Sequence, residues 1–186
     1  ISIGFGKDAK DVEDPLKLIH IPFLGKQLVL PNDERRKRVQ RNTSDVHFIT
    51  LGYTHYHYYR HLFELYGGRP WNDIEKMLDW GCGCGRVSQF FIRSLKAGKV
   101  VGVDIDKDNI KWCQDNLTGG VFEPSELYPP LQFGDNSFDF VVATSVFTHL
   151  ERAAMTQWLA ELSRVLKPNG IAALTVNTNC TPAWRS

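Results

Sequence analysis

The sequence predicts an α/β protein with a doubly wound, mainly parallel sheet and helices on both faces. Three observations predict it. From about residue 75 onward, short apolar runs alternate with amphipathic stretches. The run at 138–143, FDFVVA, is apolar apart from Asp139, as a strand covered on both faces should be. A turn holding Gly81, Gly83 and Gly85 follows the first apolar run directly, where a strand hands over to a helix.

The elements follow in order. Residues 1–45 hold Pro15, Pro22 and Pro31 and no sustained period, and read as an irregular extension. The charged run 33–38 within it reads as a solvated helix face, or else as a basic patch for an anionic partner. Residues 46–186 read as one domain. It opens with a helix at 53–66, where Tyr56, Tyr59, Leu62, Phe63 and Tyr66 recur at helical spacing and Gly67-Gly68 closes the run. This helix is expected to pack on the core as a lid, and the histidines His55, His57 and His61 to belong to its half-buried surface. The core spans 75–177. Strands are expected at 76–80, 100–103, 121–122, 138–143 and 171–176. Helices are expected at 85–95, at 108–116 behind a capping Asp, and at 152–166, the last stopped by Pro168-Asn169-Gly170. Between the third and fourth strands, Pro124, Pro129 and Pro130 argue against the usual connecting helix.

The bulk numbers narrow the function classes. A length of 186 residues suits one core. A formal net charge of +1 supplies no global field for nucleic acid or membrane, so neither is expected as a partner. No apolar run approaches the ~18 residues that span a bilayer. The four cysteines Cys82, Cys84, Cys113 and Cys180 make no disulfide framework, and the C-x-C pair is too tight for a zinc knuckle. No metal is expected, and the compartment reads as reducing, hence cytoplasmic. The chain begins at Ile1 rather than Met, which reads as a fragment or a processed chain.

The chemistry sits in M-L-D-W-G-C-G-C-G-R, residues 77–86. Glycines let the backbone turn and let a ligand lie against it. The nicotinamide fingerprint wants a third glycine where Arg86 stands, and the Walker loop wants a Gly-Lys pair that does not occur. Instead Asp79 precedes the first glycine by two residues. A carboxylate there suits an ammonium and a sulfonium and repels a pyrophosphate. The second strand ends in Asp104, 23 residues after Gly81, where a carboxylate can accept from two ribose hydroxyls. Ile105 then lies beside an adenine face.

With these stretches go P-L-x-F-x-D-N-S-F-D at 130–139, S-V-F-T-H-L at 145–150 and L-S-R-V-L-K-P-N-G at 162–170. Together, over residues 75–177, they resemble the class I S-adenosylmethionine-dependent methyltransferases, a Rossmann-like family. The resemblance implies the strand order 3-2-1-4-5 and a final antiparallel strand pair after the fifth strand, which is expected to be missing from a chain that stops at Ser186. The resemblance implies S-adenosylmethionine as cofactor and S-adenosylhomocysteine as product. It implies that Asp79, Gly81, Cys82, Gly83, Gly85 and Arg86 hold the methionine moiety and that Asp104 holds the ribose. Glu126-Leu127 would meet the adenine edge and ring, and Thr144 would complete the cofactor set. The expected reaction is in-line methyl transfer to an O, N or C nucleophile of a small molecule. His149, just past strand four and near Ser145 and Thr148, is the candidate general base. Two alternatives stay open: a non-catalytic cofactor-binding module and a nicotinamide-dependent oxidoreductase.

Overall fold

A computed structural model describes residues 28–176. Most of the extension, the end of the expected core and Cys180 lie outside them. Five strands form one sheet in the order β3-β2-β1-β4-β5, every neighbouring pair parallel. They are β1 (Met77–Trp80), β2 (Val100–Asp104), β3 (Gly120–Pro124), β4 (Phe138–Ala143) and β5 (Leu166–Leu174).

Alternation along the strands divides the core. Met77, Val100, Phe140 and Val142 face α2 (Asp45–Gly67) and α3 (Ser88–Ser94). Leu78, Trp80, Val101, Phe138 and Val141 face the opposite way, against Trp158, Leu162 and Val165 of α5 (Arg152–Val165). The second helix of the alternation, α4 (Lys107–Asn116), covers β3 through Ile110, Cys113 and Phe122. Each fully buried Phe, Leu or Val contributes roughly 1.5–3 kcal/mol. Among the described residues, no helix is long and apolar enough to cross a membrane.

Several boundaries differ from the sequence reading, each for a physical reason. A short helix, α1 (Asp33–Gln40), stands inside the stretch read as irregular. Asn32 caps it by accepting from Arg35 N at 3.1 Å, and Arg36 points inward. Helix α2 starts at Asp45 rather than near Tyr53, capped by Ser44. Its Gly52 is a close approach, since a Cβ there would collide with the backbone oxygen of Arg86. Tyr56, Tyr59 and Phe63 are at most 1% exposed, so the inner face of α2 is core rather than a lid surface. His57 packs edge-on against Tyr53, with ring centroids 4.3 Å apart. Helix α3 begins at Ser88, not Gly85, because the preceding residues are spent in the turn.

Pro168-Asn169-Gly170 does not stop α5. The helix ends at Val165, and β5 starts at once with Leu166 paired to Phe138. The Pro-Asn-Gly segment is a bulge inside the strand, with Asn169 at φ 63° and a register shift opposite Phe138 and Phe140. A bulge is where a strand tolerates a residue without an N–H. Lys167 draws the chain inward by donating to Asp139 (3.2 Å) and Glu75 (2.6 Å). The cap of α4 is Asp106, which accepts from Asp108 N and Asn109 N. No helix forms between β3 and β4.

Candidate active site

The carboxyl ends of β1, β2 and β4 open into one cavity of about 490 Å³. After Trp80 the chain turns through Gly81, Gly83 and Gly85 at φ 76°, 55° and 74°. A Cβ on Gly81 would collide with Val146, and one on Gly85 with Leu117. Gly81 N and Cys82 N both donate to Val103 O, at 2.8 and 3.0 Å, which fixes the turn against β2.

Two carboxylates flank that turn within the cavity. Asp79, 2% exposed, accepts from Ser88 Oγ at 2.5 Å. Burial pushes its carboxyl up to about 6, and the Asp104 charge adds to this, while the Ser88 hydrogen bond and Arg86 oppose it. Asp104 ends β2. Its Oδ2 accepts from Gly83 N at 2.7 Å and its Oδ1 from Asp106 N at 2.9 Å. Burial raises it too, against those two N–H donors.

The remaining walls come from four places. On the β4 side, Thr144 Oγ1 shares a hydrogen bond with Tyr59 Oη at 2.9 Å. Burial pushes the Tyr59 hydroxyl up to about 12, despite the Thr144 contact. Ser145 adopts φ 62°, and its N donates to Thr175 Oγ1 at 2.5 Å. A non-glycine residue held in the left-handed region is a strained feature of a kind that clusters at functional sites. His149 sits exposed on a 3-10 turn, Phe147–His149. On the β3 side, Ser125 N donates to Asp104 O at 2.9 Å, and Trp158 Nε1 donates to Leu127 O at 3.2 Å. Trp158 itself packs on Trp80, ring centroids 4.6 Å apart. Across the top, α1 places Val39 over Gly83 and pairs Arg38 with Asp106 at 2.9 Å.

A family model described as a methyltransferase domain matches residues 77–170. The chain belongs to the class I S-adenosylmethionine-dependent methyltransferase family. The chain is 33% identical over 106 residues to a phthiotriol/phenolphthiotriol dimycocerosates methyltransferase of Mycobacterium ulcerans, covering 54% of this chain and 37% of that one. It is 33% identical over 100 residues to a ribosomal protein L11 methyltransferase of Aliivibrio salmonicida, covering 53% and 32%. A TehB-like SAM-dependent methyltransferase from Corynebacterium glutamicum shares the fold, with a TM-score of 0.52, 21% identity, and coverage of 70% and 74%. The chain spans between 32% and 56% of the length of such curated relatives.

All the sequence-predicted site residues but one line the cavity: Asp79, Gly81, Cys82, Gly83, Arg86, Asp104, Ile105, Glu126, Leu127, Thr144 and His149. Gly85 does not. It lies beneath the turn, against Leu117 and Cys113, and serves the packing of the loop on α4. The sequence reading missed Arg38, Val39, Trp80, Val146 and Trp158. Arg38 and Val39 sit in a polar helix with no apolar period, so only the fold brings them to the glycine turn. Trp80 was within reach, since it follows Asp79 directly at the carboxyl end of β1.

Proposed function

We propose that the cavity binds S-adenosylmethionine and that the chain directs methyl transfer to a small-molecule acceptor on the β4 side. The single observation that carries this is the placement of Asp79 and Asp104 in one cavity, on either side of a three-glycine turn. The donor set fits the cofactor. A backbone surface without side chains suits close approach, and two carboxylates suit a ligand bearing an ammonium and a ribose.

When bound, S-adenosylmethionine supplies a methyl group on positively charged sulfur, already activated for in-line displacement. The residues of this chain do the rest. Asp104 keeps lone pairs for ribose hydroxyls while holding Gly83. Glu126 and the exposed Ile105 and Leu127 frame the base. Asp79 faces the amino end. Alignment of this kind is worth up to roughly 7–11 kcal/mol when reacting atoms are held in near-attack geometry. His149, at the cavity wall, takes the proton from a hydroxyl or ammonium acceptor. The relatives' names divide between small-molecule and protein acceptors. A concave cavity walled in part by Trp80, Trp158 and Val146 favours a small one.

The test is calorimetric titration with S-adenosylhomocysteine and with NAD, followed by a labelled-methyl transfer screen over small molecules. S-adenosylhomocysteine should bind and NAD should not; the reverse would sink the reading. Cofactor binding with no transfer to any acceptor class would favour a non-catalytic module. His149→Ala should lower kcat while leaving cofactor affinity within about twofold.

A further inference from the structure

Residues 125–137 join β3 to β4 without a helix of their own, and three side chains of α5 hold them instead. Trp158, Glu161 and Arg164 recur every third residue, so they share one face of that helix. Arg164 Nη2 donates to Phe133 O at 2.9 Å, and its Nη1 pairs with Asp135 at 2.6 Å. Glu161 accepts from Leu131 N at 2.6 Å. Those two serve the far half of the loop. Trp158 serves the half that lines the cavity. Its Nε1 donates to Leu127 O at 3.2 Å, the only hydrogen bond that residues 126–130 make among the described residues. Glu126, Leu127 and Tyr128 are exposed, so burial of their side chains does not fix them. Trp158 is buried, and its ring packs on Trp80 at the end of β1, so the loop and that strand share a support.

An indole combines a rigid apolar body, which can be buried, with one N–H that then needs a partner. A loop of exposed residues that is tied down before a ligand arrives spares the ligand the cost of ordering it. We propose that Trp158 is a positioning residue for the nucleoside base. Its indole N–H fixes Leu127 O, and through that backbone it holds Glu126 and Leu127 at the cavity wall. This rests on the reading of the cavity as a cofactor site. It assigns recognition of the base to a donor on α5, 31 residues along the chain from the carbonyl it holds.

The experiment compares the wild type with Trp158→Phe, which keeps a buried ring and loses the donor, and with Arg164→Met, which releases only the far half of the loop. Each is titrated with S-adenosylhomocysteine and with S-ribosylhomocysteine, which keeps the ribose and the amino-acid end and lacks the base. Trp158→Phe should bind S-adenosylhomocysteine roughly 5-fold more weakly and S-ribosylhomocysteine within about twofold of the wild type. Arg164→Met should melt at a lower temperature yet keep both affinities. A Trp158 that serves packing alone would weaken both ligands alike. That result overturns the proposal, as do two unchanged affinities, or an equal loss of base preference in Arg164→Met. The wild type supplies a second readout, which does not depend on a variant that folds. In its NMR spectrum the Trp158 indole N–H resonance should shift on adding S-adenosylhomocysteine and stay in place with S-ribosylhomocysteine. A resonance that moves in neither titration, or equally in both, overturns the proposal. A wild type that binds neither ligand sinks the cofactor reading itself, and the assignment of Trp158 falls with it.

Discussion

Burial sets Asp79 against its own charge. Its carboxyl titrates near 6 in the folded chain, against an ordinary 3.8. The folded state therefore holds its proton to higher pH than the unfolded state does. The contribution of Asp79 to stability is greatest below about 3.8, falls as pH rises through 6, and stays reduced above it, by at most on the order of 3 kcal/mol. Asp79→Asn should thus raise the urea midpoint at pH 7.5, and the gain should vanish by pH 4. The same variant should weaken S-adenosylhomocysteine binding. In the wild type that binding should strengthen as pH rises toward 6 and then level off. Asp104→Ala has a different signature. It removes an acceptor for Gly83 N and Asp106 N as well as for ribose, so affinity should fall by on the order of 1–3 kcal/mol. Unchanged affinity in a titration would refute the ribose assignment.

Among the elements, α1 is the one that its own sequence conceals. Its six charged residues in a row read as a solvated face, yet Arg36 is buried and holds the helix down. Arg36 donates to Pro31 O at 2.6 Å and Thr43 O at 3.0 Å, and pairs with Asp33 and Asp45. No periodicity reports a charged residue that satisfies backbone carbonyls. Arg36→Ala should free α1, raising hydrogen exchange over 33–40 and weakening cofactor binding, because Val39 then leaves Gly83. Exchange unchanged over those residues would mean that the helix is held by other contacts. The strand and loop elements were more legible. FDFVVA could be little other than a covered strand, and it spans the residues of β4 as expected. The Pro-Asn-Gly segment misled because those residues end helices and also make bulges, and only the pairing of Leu166 with Phe138 decides between the two. In the 125–137 segment the sequence excluded a helix. It did not reveal that Trp158 and Glu161 hold this loop, through Leu127 O and Leu131 N.

On the scale of the whole molecule, stability and binding occupy opposite ends of the sheet. Asp139 lies near the amino end of β4 and accepts from Glu75 N and Lys76 N, each at 2.9 Å, with Lys167 and Arg69 beside it. Burial alone would raise its carboxyl, but the two N–H donors and the Lys167 ammonium outweigh that and hold it below the usual value. Its contribution is present above about pH 4 and is lost as pH falls further. Asp139→Asn should cost roughly 2–4 kcal/mol, and so several degrees of Tm, while leaving the Kd for S-adenosylhomocysteine unchanged. A matched loss of affinity would show that the two ends are coupled. The alternation of strands and helices and the glycine turn were legible because both are written in consecutive residues, whereas the strand order followed only from the family resemblance. The far wall of the cavity was not, because it is assembled from α1 and α5, distant in the chain.

The bond from Gly83 N to Asp104 has one more effect. Because Asp104, the acid proposed to meet the nucleoside, already grips the turn, the binding surface is set before any ligand arrives. Association should then follow a single rapid exponential in stopped flow, its rate rising linearly with ligand concentration and with no plateau from a slow rearrangement.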